Sequence, residues 1–164
     1  MKVAVKDACV LIDLANGGLL DAWFKLGVET YTTDLVLRQI KDEKQWVAVE
    51  PFEKKGLLKV ETLTGDEVLE MREVFNHLPV GIEDQSVLFL AMKLHAILLT
   101  GDRRLRIEGL HKSLEVRGVL WVLDELVAKK QLGPKLAAEK LKDILAEGAF
   151  LPEDECKKRF SAWA

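Results

Sequence analysis

Asp84-Gln85-Ser86-Val87-Leu88-Phe89-Leu90-Ala91-Met92-Lys93-Leu94-His95-Ala96-Ile97-Leu98-Leu99-Thr100-Gly101-Asp102 is the stretch whose reading decides the fold. In its first part, Asp84, Val87, Leu88, Ala91 and Leu94 recur at spacings of three and four, so they share one face of a helix over residues 81–95. In its second part, residues 96–100 form a continuous apolar run, which reads as a strand buried on both faces. A helix leading straight into such a strand is the repeating unit of a parallel sheet covered by helices. Each end of the unit carries an acid. Asp84 lies in the helix's first turn on the apolar face, where a charge needs a partner. Asp102 ends the strand.

The same alternation extends in both directions. Upstream, Val3-Ala4-Val5 reads as a short buried strand that runs into Asp7. Residues 28–31 and 58–63 are further strand candidates, and residues 114–116 give a fifth. Helices are expected over residues 8–15 and 19–26. Another starts at Thr32 or Thr33 and either continues or restarts through Trp46, Val47 and Phe52. Thr64-Gly65-Asp66-Glu67 starts the helix before the central one. Residues 103–110 and 119–130 are helical by pattern. Gly133-Pro134 opens another helix, and Leu151-Pro152 opens a last one carrying Phe160 and Trp163. The expected fold is an α/β/α sandwich around a parallel sheet of about five strands. Residues 1–164 read as one domain, with a body over 1–130 and a helical appendage over 131–164.

The totals fit this reading. The chain has 164 residues, 49% of them hydrophobic and 31% charged, enough for one sizeable core. No apolar stretch reaches the roughly 20 residues that span a bilayer, and the opening Met-Lys-Val-Ala-Val, followed by Lys6 and Asp7, is unlike a leader peptide. No membrane association and a cytoplasmic location are therefore expected. Cys9 and Cys156 have no metal-ligand spacing and are expected as free thiols. A net charge of −3 does not by itself advertise nucleic-acid binding. A local basic cluster, Arg103, Arg104 and Arg106, nevertheless follows Asp102 directly.

Asp7, Asp84 and Asp102 are the candidate chemical residues. Each has a plain structural alternative, as a helix cap or a first-turn acid. Together they fall at the carboxyl ends of strands or at a neighbouring helix start, the edge where open α/β sheets bind ligands. Carboxylates without histidine or cysteine suit a hard cation such as magnesium or manganese. His77, His95 and His111 share no ligand spacing. The chain has no phosphate loop, no dinucleotide fingerprint and no nucleophile elbow. An aspartate-nucleophile phosphatase would want an acid where Cys9 stands. The tryptophans read as core or interface residues, and Trp163 is the best candidate for docking on the body or on a partner.

Three segments in order resemble the motifs of PIN-domain nucleases: Asp7-Ala8-Cys9-Val10-Leu11-Ile12-Asp13, Asp84 through Ala91, and Leu98-Leu99-Thr100-Gly101-Asp102-Arg103-Arg104-Leu105. The resemblance covers roughly residues 3–125. It implies a PIN-like sandwich and a magnesium- or manganese-dependent endoribonuclease with Asp7, Asp84 and Asp102 as catalytic metal ligands. It also implies RNA as substrate, and a toxin of a toxin–antitoxin pair with an antitoxin partner and a homodimer. Arg103, Arg104 and Arg106 would grip RNA phosphates. One position departs from the pattern: Gln39, in Leu37-Arg38-Gln39-Ile40, stands where the family usually has a glutamate. Glu43, one helical turn on, and Glu83, beside Asp84, are the candidate replacement acids. Without such an acid the alternative is an inactive PIN-fold module that binds RNA or protein.

Overall fold

The computed structural model describes residues 3–164, Val3 by its backbone alone. Met1 and Lys2, part of the stretch read above as unlike a leader, lie outside the described residues. In chain order the elements are β1 (Val3–Lys6), α1 (Ala8–Asn16), α2 (Leu20–Phe24), β2 (Glu29–Thr33), α3 (Asp34–Leu37), α4 (Glu43–Lys54), β3 (Leu58–Glu61), α5 (Gly65–Phe75), α6 (Ile82–Leu94), β4 (Ile97–Leu99), α7 (Arg103–His111), β5 (Val116–Arg117), α8 (Val119–Ala128), α9 (Pro134–Ala146) and α10 (Glu153–Ala162). No helix among them is long and apolar enough to cross a membrane.

The strands form one parallel sheet in the order β3-β2-β1-β4-β5. The chain first moves outward from β1 through β2 to β3. It then crosses back and continues outward on the other side of β1, through β4 to β5. With right-handed crossovers, that reversal puts α1, α2 and α4 on one face of the sheet and α5, α6 and α7 on the other, and α8 and α9 return to the first face. The packing follows: α1 lies against α4, α8 and α9, whereas α6 lies against β1, β2 and β4 and against α3, α5 and α7. The reversal also fixes where the two central strands part company. β1 and β4 are paired with Lys6 opposite Leu99, and beyond that pair the chain leaves each strand toward a different layer.

α6 is the central helix of its layer, and Gln85, Ser86, Val87, Leu88, Leu90 and Ala91 are all buried. The single apolar stripe expected from the sequence is therefore too narrow, because a helix over mid-sheet with neighbours on both sides is covered nearly all round. Its first turn carries Glu83 and Asp84, which complement the helix dipole. It ends at His95 in the left-handed conformation, φ 51°.

The five expected strands are all present, displaced by a residue or two. β2 runs on to Thr33 because its threonines are held inside: the Thr32 hydroxyl donates to the Lys6 carbonyl at 2.9 Å. The helix expected over residues 19–26 is shorter, Leu20–Phe24. Over residues 34–54 the helix restarts rather than continues. α3 closes after one turn, and Asp42 starts a separate helix by accepting the Gln45 N–H at 3.0 Å. Gln39 and Glu43 are therefore not one turn apart on one helix face.

The carboxyl-terminal helices are built into the body. Ala137, Leu141 and Ile144 of α9 are buried where it packs on α1 and α8. α10 packs on α9 and buries Cys156 and Trp163. Arg159 of α10 grips Asp124 of α8 with two nitrogens, at 2.9 and 2.7 Å. Trp163 thus docks on the body of its own chain. Both cysteines are free, Cys9 exposed and Cys156 buried.

Candidate active site

Asp7 and Thr100 are the first residues beyond the Lys6–Leu99 pair, so the parallel register sets them side by side. The Asp7 N–H donates to the Leu99 carbonyl at 3.1 Å and prolongs the ladder by one bond. Thr100 then links the two strand ends. Its fully buried hydroxyl donates to Asp7 Oδ2 and accepts the Asp102 N–H at 3.0 Å. Asp7 also caps α1, its Oδ1 accepting the Val10 N–H at 3.0 Å. Asp102 caps α7 in the same way, Oδ1 accepting from Leu105 N at 2.8 Å. The capping alternatives read from the sequence are thus real for Asp7 and Asp102. They hold the two side chains where the β1/β4 reversal opens a crevice.

Capping leaves some of the oxygens available. Both oxygens of Asp7 accept hydrogen bonds. The second oxygen of Asp102 has no donor among the described residues, and neither has either oxygen of Asp84. None of the three forms an ion pair among the described residues. Their charges act on one another instead. Asp7 is only 3% exposed, and burial pushes its carboxyl up to about 6 against the two hydrogen bonds, with Asp84 and Asp102 adding repulsion. Asp84 is raised to about 6 by burial and then by Asp102 and Glu83.

Other residues join this group. Asp13 is raised to about 6 by burial and by Asp7. Cys9 lies one turn before it on α1. The Cys9 thiol, partly desolvated by the packed site although the residue is exposed, is pushed up to about 12, with Asp7, Asp13, Asp102 and Asp84 adding repulsion, so all four acids act at one point. Sequence reading gave no role to Asp13 or Thr100. The available signals were the four-residue step from Cys9 to Asp13 and the Thr-x-Asp spacing, which lets one hydroxyl serve both strand ends.

The remaining candidates separate. Glu83 acts on Asp84, and its carbonyl accepts the Ser86 hydroxyl at 2.6 Å. Gln39 is exposed beyond the end of α3, and Glu43 is exposed at the start of α4. Glu43 is not among the charges that act on Asp7 or Asp84. The arginine trio also divides. Arg103 and Arg106 line a cleft of about 860 Å³ together with Thr100, Gly101 and Asp13. Arg104 turns away and donates to the Pro79 carbonyl at 3.3 Å. Lys6, next to Asp7 in sequence, is fully buried with its amine 3.4 Å over the Trp23 ring, and burial holds its pKa well below the usual lysine range.

Among the described residues no three His, Cys, Asp or Glu side chains converge into a ready-made cation cage. The donor set nevertheless fits a hard divalent ion: it is all oxygen and anionic, and no ion pair among the described residues ties up Asp7, Asp84 or Asp102.

A family model of the PIN domain matches residues 3–164. The crystal structure of PAE2754 from Pyrobaculum aerophilum resembles the chain with a TM-score of 0.57 at 22% identity, over 77% of this chain and 96% of that one. That likeness concerns the fold. None of the curated proteins compared with the chain matches it. PIN domains are in general nucleases. The parallel five-stranded sheet, the acids at its reversal point and the match over nearly the whole length lead to one conclusion: the chain belongs to the PIN-domain family.

Proposed function

We propose that the chain is an endoribonuclease that depends on magnesium or manganese, with Asp7, Asp84 and Asp102 as its catalytic carboxylates. The observation that carries this reading is the acid cluster at the β1/β4 reversal: Asp7 and Asp84 are raised by burial and by neighbouring carboxylates, and none of the three aspartates forms an ion pair among the described residues. Asp84 and the open oxygen of Asp102 would hold the ion, with Asp7 braced behind them by Thr100 and Val10. An ion held there supplies a bound water of lowered pKa and a Lewis acid for phosphate oxygens. Arg103 and Arg106, on the wall of the adjoining cleft, would orient the phosphodiester.

The decisive experiment is cleavage of RNA by the purified protein with manganese, with magnesium and with chelator, beside Asp84→Asn and Asp102→Asn. Metal-dependent cleavage should fall at least about a hundredfold in each variant, as befits loss of a group that acts in the transition state. Cleavage unchanged in both would refute the assignment. For the biological setting we propose a toxin held by an antitoxin protein, acting as a homodimer. The support is resemblance to small stand-alone PIN proteins.

A second reading is favoured by Gln39, exposed beyond α3, with no acid from α4 reaching the aspartates. On this reading the chain keeps the fold but binds RNA or protein without cleaving. Gln39→Glu separates the two. Cleavage gained from an inert parent supports the binding module, and an active parent excludes it.

A further inference from the structure

The cleft beside the acids extends well beyond them. From Thr100 and Gly101 it continues along Arg103 and Arg106 of α7 to Arg117 of β5, Trp121 of α8 and Phe150, in the turn between α9 and α10. Phe150 is fully exposed at 101%. A large ring that buries nothing, on the rim of a cleft lined with arginines, is a feature the fold does not need.

The charges along the cleft are unevenly committed. On the α10 wall, Glu153 is paired with Lys157 at 3.0 Å, and Glu155 is paired with Lys158 and Arg159. Arg159 is also held by Asp124. On the opposite wall, Arg103 and Arg106 have no ion pair among the described residues. Arg117 reaches only Glu115, at 3.3 Å, with both side chains nearly half exposed. A contact of that kind is weak and exchangeable. Asp13 and the exposed Glu153 also line the cleft, but along α7 and β5 it offers three arginines to an anion, with an open aromatic ring facing the same space.

From this juxtaposition we infer that the cleft is a subsite for single-stranded RNA next to the scissile position, with Arg103, Arg106 and Arg117 holding backbone phosphates and Phe150 stacking an unpaired base. The inference rests on the nuclease reading for the identity of the polymer. It gives Phe150 and the α9–α10 turn a substrate-binding role. Base stacking on an aromatic ring tolerates any sequence but requires a base freed from its helix.

The test is equilibrium binding of a fluorescein-labelled single-stranded RNA of mixed sequence, and of its duplex, to the full chain with chelator present to prevent cleavage. Parent, Phe150→Ala, Phe150→Trp and Arg117→Ala are compared. Phe150→Ala should weaken single-strand binding about tenfold, and Phe150→Trp should keep parental affinity. Duplex binding should be indifferent to residue 150. Arg117→Ala should lower the slope of log affinity against log salt by about one. Parental affinity in Phe150→Ala overturns the subsite, as does equal weakening by alanine and tryptophan or a parent that binds no single strand. Because Phe150 is wholly exposed, its variants should unfold at the parental temperature. The outcome is independent of the cleavage assay: a chain that cleaves but ignores residue 150 loses the subsite alone, and one that binds through residue 150 without cleaving loses the nuclease reading alone.

Discussion

At the scale of single residues, the site's acids cost the fold some of its stability. Asp84 titrates at about 6 in the folded chain and near 4 when unfolded. A raised native pKa means that folding favours the protonated form. Its stability contribution is therefore intact below about pH 4, is lost as pH climbs toward 6 and stays lost above that. Asp84→Asn removes the charge at every pH, and Asp84 makes no hydrogen bond that asparagine would break. The lost interaction with the α6 dipole opposes the gain but is small at a half-exposed position. In chelator at pH 7.5 the variant should melt roughly 2–4 °C above the parent, and the gap should close as pH falls toward 4. A variant melting below the parent at pH 7.5 would show that Asp84 is stabilised where it stands. All three aspartates were legible in the sequence because each follows a strand or opens a helix. Thr100 was not assigned a role, since a threonine at a strand end is unremarkable until the register places Asp7 against it.

At the scale of elements, the site depends on how closely α7 lies against the sheet, because α7 begins at Asp102. Gly109 sets that distance. A Cβ there would lie 2.8 Å from Val116 Cγ2 and 2.9 Å from Leu98 Cδ2. Leu98 is fully buried in β4 and has little room to yield. Alanine would gain about 1 kcal/mol of helix propensity, against an overpacking cost of roughly 1–3 kcal/mol. Overpacking should win, so Gly109→Ala is expected to lower the melting temperature by roughly 2–4 °C. On the proposed nuclease reading it should also reduce cleavage by tilting Asp102 away from Thr100. A melting temperature at or above the parent's would mean that α7 slides without cost. The order and type of these elements were readable from periodicity, since 3.6-residue stripes and buried apolar runs differ plainly. Whether α3 and α4 are one helix or two stays open in the sequence, between continuing and restarting. Ile40 keeps the apolar pattern running through the junction, and only the Asp42 cap, a local hydrogen bond, ends one helix and starts the next. That break takes Glu43 off the helix that ends beside Gln39.

For the molecule as a whole, the residues following position 130 complete a layer and finish the cleft. The sequence suggested an appendage because the strand pattern ends before them, and amphipathic helices alone do not say what they cover. α9 covers α1 and α8, and α10 is fastened by the Arg159–Asp124 grip, with the arginine side chain only 19% exposed. A two-pronged, partly buried pair of this kind contributes about 1 kcal/mol or somewhat more. That is enough to govern local opening of a terminal helix without governing global unfolding. The two cysteines give a direct readout. Cys156 is buried on the inner side of α10, whereas Cys9 is exposed on α1 far from that contact in sequence. Arg159→Ala should speed thiol labelling of Cys156 about fivefold, the factor that 1 kcal/mol gives an opening equilibrium, and leave Cys9 labelling as in the parent. Arg159→Lys should lie between, since lysine offers one prong where arginine offers two. Peptide mass spectrometry after timed alkylation resolves the two sites. Equal acceleration at both cysteines would mean that the pair holds the whole fold, and no acceleration at Cys156 would mean that apolar packing through Trp163 holds α10 unaided.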